Sequence, residues 1–95
     1  MDVIVAGVGM SNFGMFTDVS TRQLVATATT AALADAGVTA ADVGLVVFGN
    51  AAAGLITGQE MIRAQTSLST SPLAGVPTMS VENACASSSS AFHAG

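Results

Sequence analysis

The chain has 95 residues, about half of them apolar and only 8% charged, and its net charge is −4 with two arginines and no lysine. That length allows one small domain at most, and the lack of cations to neutralise phosphates excludes nucleic-acid binding and disfavours an anionic membrane surface. No apolar stretch is long enough for a membrane span, Asp2 follows the first residue with no basic region that would mark a signal peptide, and a lone cysteine that cannot form an internal disulfide fits a cytoplasmic setting.

So apolar a chain has few polar residues with which to make a surface. We therefore expect much of it to be covered by further polypeptide, by a partner subunit, or by both. The chain stops at Phe92-His93-Ala94-Gly95, within the first turns of the last predicted helix, and reads as an N-terminal fragment.

The first predicted element is a strand over 3–9, the unbroken apolar run Val3-Ile4-Val5-Ala6-Gly7-Val8-Gly9. Gly7 and Gly9 resemble the start of a dinucleotide fingerprint, but Asn12 stands at the third glycine position and loop follows. Close backbone packing and a turn after a strand is the preferred reading. A helix over 21–36 comes next. Ser20 and Gln23 have the spacing of a capping box, and Gly37 is the stop. Leu24, Val25, Ala28, Ala31, Ala32 and Ala36 form a smooth face that can lie close on a sheet. Thr39 and Asp42 repeat the cap spacing and predict one further turn.

A second strand is predicted over 43–48, ending at Gly49, and strand–helix–strand with these lengths makes a βαβ unit with parallel strands. After a small-residue loop over 50–57, a helix is predicted over 58–66, in which Arg63 reads as a surface partner of Glu60. A turn-rich connection over 67–75 leads to a third strand over 77–82 and a helix over 85–95. Alanine and serine fill that last helix, and a thin serine-rich helix reads as one held between layers.

Cys85 falls at the junction of the third strand and the last helix. Unpaired amides and positive partial charge at a helix start stabilise a thiolate, and the same amides can hold an oxyanion when that thiolate attacks a carbonyl. Cys85 is thus the candidate catalytic residue, a cysteine nucleophile for acyl transfer. The alternative is a buried, inert thiol. His93 lies eight residues on, about 12 Å along a helix axis, too far to act as its base. One cysteine and one histidine at that spacing make no metal site.

Four stretches resemble the thiolase family: Val3 to Gly14, Gly58-Gln59 with Arg63, Val76-Pro77, and Val81-Glu82-Asn83-Ala84-Cys85-Ala86-Ser87. The cysteine motif is the specific part, and its wording is nearest the sterol-carrier-type thiolases. The resemblance covers the whole chain but only the opening portion of a usual thiolase. It implies an α/β fold of layered α-β-α-β-α type, of which this chain is the start of the N-terminal half. It also implies an acyl-CoA C-acyltransferase of lipid or fatty-acid metabolism. On that resemblance Cys85 is the acyl-thioester nucleophile, attacking an acyl-CoA thioester or the keto carbon of a 3-oxoacyl-CoA with its own N–H as an oxyanion donor, and passing the acyl group to a second substrate.

Coenzyme A thioesters are then substrates, with no permanently bound cofactor. The activating histidine, a second cysteine and most coenzyme A contacts belong to later parts of the family's chain. The implied assembly is a homodimer or homotetramer, or one with a partner subunit. The family usually has glycine where this chain has Ser88, which has less backbone freedom. Two other readings remain open. A ketoacyl synthase shares the fold and nucleophile position but condenses with loss of CO₂. A non-catalytic thiolase-like subunit or lipid-binding partner would carry Ser88 as the trace of lost catalysis.

Overall fold

A computed structural model describes residues 2–59 and 61–95. The elements in chain order are α1 (Thr21–Ala36), a 3₁₀ turn (Ala40–Asp42), β1 (Val46–Gly49), α2 (Ala53–Thr57), α3 (Arg63–Leu68), β2 (Thr78–Val81) and α4 (Ser87–Ala94). Helix α1 covers its expected span because its signals are local. Ser20 Oγ accepts from the Gln23 N–H at 3.2 Å, and Gln23 Oε1 accepts from the Ser20 N–H at 2.7 Å. Gly37 closes the helix in the left-handed region at φ 69°. The next turn is held the same way, with Asp42 Oδ2 accepting from the Thr39 N–H at 3.0 Å.

β1 and β2 pair in parallel, with Val46 opposite Thr78 and Gly49 opposite Val81. Alternation along β1 divides the surroundings. Val46 and Phe48 pack toward the core of Ala64, Leu68 and Leu73, on the α3 side. Val47 and Gly49 face α4: Val47 lies beside Gly95 and Gly49 beside Ser87. The order is therefore α1 on α3, the two strands, then α4. That α-β-α arrangement agrees with a layered α/β fold. The connection between the parallel strands carries α2 and α3.

Several expected elements differ. Residues 3–9 form no strand. The Val8 N–H donates to Asp35 Oδ2 at 2.9 Å, so that amide is not offered to a ladder. The segment lies instead along α1. A Cβ at Gly7 would fall 2.6 Å from Ala36 N and 2.7 Å from Ala32 O, and one at Gly9 would overlap Ala28 O and Ala32 N. The glycines thus serve close backbone approach. The parallel pair is β1 with β2, and the expected βαβ unit of 3–9 with 43–48 is not formed.

The helix expected over 58–66 starts later, as α3 from Arg63, and the loop expected over 50–57 instead contains the short helix α2. Gly58 (φ 78°) ends α2 in the left-handed region, and Ile62 (φ 45°) turns the chain again before α3. Between them Gln59 Nε2 donates to Met61 O at 2.6 Å. The partner proposed for Arg63, Glu60, lies outside the described residues. Strand β2 matches the third predicted strand to within a residue at each end.

Large apolar side chains stand open on this chain, among them Val3, Ile4, Phe13, Leu55 and Phe92. A groove of about 790 Å³ separates Val3–Gly7 from Leu45, Val47, Ala91 and Phe92. Among the described residues, no helix is long and apolar enough to cross a membrane.

Candidate functional site

The helix expected from residue 85 begins at Ser87, so Cys85 sits just ahead of α4 rather than in it. The reason is a tight turn after β2. Ala84 takes a left-handed φ of 46°, which few non-glycine residues adopt and which no helix continues through. Cys85 follows and is exposed on this chain.

Four neighbours hold the turn. Glu82 Oε2 accepts from the Ala84 N–H at 2.5 Å. The Asn83 N–H donates to Ser87 Oγ at 2.9 Å, and Asn83 Nδ2 donates to Ser90 Oγ at 3.2 Å. Ser87 Oγ donates in turn to Ala84 O at 2.8 Å. Two backbone bonds close the turn: the Ala86 N–H reaches Asn83 O at 2.9 Å and the Ser87 N–H reaches Ala84 O at 3.1 Å.

The turn leaves fewer free amides than a plain helix start would. The amides of Ala86 and Ser87 are already bonded to carbonyls of the turn. No hydrogen bond of the turn uses the Cys85 N–H. The thiol can attack a carbonyl, and the N–H of the same residue, which has no hydrogen bond among the described residues, can donate to the oxygen on which negative charge develops.

Ser87 is 4% exposed and packs against the end of β1. A Cβ at position 49 would fall 2.7 Å from Ser87 O, so only glycine there lets the first turn of α4 rest on the strand. Glycine ends both predicted apolar runs, but nothing local marks Gly49 as the seat of a helix 38 positions later in the chain. The Glu82, Asn83 and Ser90 contacts were also missed by sequence reasoning. An Asx-type turn signal in Glu82-Asn83-Ala84 was the available clue.

His93 lies in the last turn of α4 and is exposed, and no hydrogen bond joins it to Cys85. Arg63 is half-buried rather than a surface cation. Its Nη1 donates to Asn50 O at 3.1 Å, which ties α3 to the exit of β1, while its buried Nε has no hydrogen-bond partner among the described residues. The Ala64 N–H donates to Ser80 Oγ at 3.1 Å and fixes α3 to β2. Ser88 lines the apolar groove beside α4.

Two relatives give this geometry a context. The chain is 39% identical over 94 residues to an acetyl-CoA acetyltransferase of Methanothermobacter thermautotrophicus, covering 99% of this chain and 24% of that protein. It is 38% identical over 91 residues to an acetyl-CoA acetyltransferase of Methanocaldococcus jannaschii, covering 96% of this chain and 23% of that one. The chain thus spans about a quarter of the length of these curated relatives. Residues 3–95 match the family model described as thiolase, N-terminal domain. On that match, which runs through the Cys85 turn and nearly the whole length, the chain belongs to the thiolase family.

Proposed function

We propose that the protein carrying this chain is an acyl-CoA C-acyltransferase with Cys85 as its nucleophile. The observation that carries the reading is the exposed Cys85, which follows a left-handed Ala84 and whose N–H has no hydrogen bond among the described residues. Membership of the thiolase family and the names of the two relatives support the acyl-CoA chemistry.

In the first half-reaction the Cys85 sulfur bonds to the thioester carbonyl carbon. The carbonyl electrons move onto oxygen, and the Cys85 N–H can donate a hydrogen bond to the oxyanion so formed. The carbon–sulfur bond to coenzyme A then breaks, and the coenzyme A thiolate leaves and takes up a proton. In the second half-reaction a base from another part of the protein takes an α-proton from a second acyl-CoA, and the resulting carbanion attacks the acyl-Cys85 carbonyl and expels the cysteine thiolate. The degradative direction runs these steps backwards. The base that activates Cys85 is not His93, which sits at the far end of α4. It comes from another part of the protein.

A cytoplasmic homodimer or homotetramer working in lipid metabolism, nearest the sterol-carrier-type thiolases, completes the proposal. The open apolar side chains of this chain support a covered, assembled state.

The test is to mix the full-length protein with radiolabelled acetyl-CoA, quench in acid and map the label by peptide mass spectrometry. The expected result is one acetyl group on Cys85, lost in Cys85→Ala. An unlabelled Cys85 overturns the proposal in favour of a non-catalytic partner. Acyl transfer that requires malonyl substrate and releases CO₂ overturns it in favour of a ketoacyl synthase.

A further inference from the structure

We infer that Ser87 is a positioning residue for acyl transfer, acting through the peptide unit that joins Ala84 to Cys85. The inference rests on Cys85 being the acylated residue, as proposed above. The Ala84 carbonyl and the Cys85 N–H are two ends of one planar, trans peptide. Ser87 holds the carbonyl end twice, by its hydroxyl at 2.8 Å and by its own N–H at 3.1 Å. Fixing the oxygen of a rigid plane fixes the direction of the N–H at its other end. Ser87 therefore aims the amide that receives the developing oxyanion, although it touches no reacting atom.

Two further observations support this. The same hydroxyl accepts the Asn83 N–H at 2.9 Å, so it bridges both sides of the turn and opposes relaxation of the left-handed Ala84. Ser87 is itself held, being 4% exposed and seated against Gly49. Carbonyls that accept hydrogen bonds also make the N–H of their own peptide a stronger donor. Ser87 thus both orients the Cys85 amide and strengthens it.

The role separates two reactions of the same thiol. Acylation by acetyl-CoA passes through an oxyanion. Alkylation by iodoacetamide displaces iodide directly and forms none. In the full-length protein, Ser87→Ala is expected to slow single-turnover acylation of Cys85 by about tenfold, with alkylation at the same pH changed by less than about twofold. Ser87→Thr keeps the hydroxyl and should retain most of the acylation rate, while its isostere Ser87→Val should lose it.

If Ser87→Ala does not accumulate as folded protein, the threonine and valine pair carries the test. Equal losses in both reactions would reduce Ser87 to a structural support and overturn the inference. So would an unchanged acylation rate in Ser87→Ala, or equal rates in Ser87→Thr and Ser87→Val. Failure of the wild-type protein to be acylated at all is a separate result, and it counts against the proposed function.

Discussion

Residues 3–9 and 43–49 are two runs of seven residues, both rich in valine and both ending in glycine. Only the second contains a strand. Strand propensity is therefore not what separates them. β1 has β2 to bond with, and its inner and outer faces both meet helices. Residues 3–9 have α1 beside them, a carboxylate on the Val8 amide, and apolar side chains left open. A strand is a property of an edge that accepts it as much as of the run itself.

The largest effect that would break this comparison is expected at Gly49. A methyl group there meets the backbone of Ser87 at 2.7 Å, so Gly49→Ala must displace α4 or bend β1. We expect a loss of about 3 kcal/mol in denaturant unfolding of the full-length protein, together with slower acylation of Cys85. A neutral substitution would show that the second run does not depend on its contact with α4.

A smaller effect is expected at Arg63, whose guanidinium holds Asn50 O at the exit of β1. Arg63→Gln should cost about 2 kcal/mol, the scale of a part-buried hydrogen bond to a charged group. The smallest effect is expected at Asp35, which takes the Val8 amide in an exposed hydrogen bond. Asp35→Ala should cost about 1 kcal/mol by the same measurement. Removing that carboxylate also frees the Val8 amide. Slower hydrogen exchange at Val8 in the variant would mean that residues 3–9 had found a strand partner.

What was legible in the sequence was what is settled within a few residues. Ser20, Gln23 and Gly37 begin and end α1 without help from elsewhere. The apolar run over 43–48 marked a strand, although β1 itself starts only at Val46. The cysteine motif marked the turn that the structure presents to solvent. What escaped notice depends on groups far apart or on uncommon backbone. Ile62 in a left-handed conformation has no sequence signature, and it divides what periodicity joins. Ala84 does the same two residues before the end of the turn. Asp35 lies 27 residues from the amide it binds.

Parallel strands in register finish at one rim. Gly49 and Val81 are opposite each other, so the segments that leave them start side by side. The Asn50 N–H bridges that rim to Val81 O at 3.4 Å, four residues ahead of Cys85. Isotope exchange at this single amide therefore reports on the cysteine turn from the neighbouring strand. An acyl group that tightens the turn would register as slowed deuterium uptake at Asn50, a residue in a different segment of the chain.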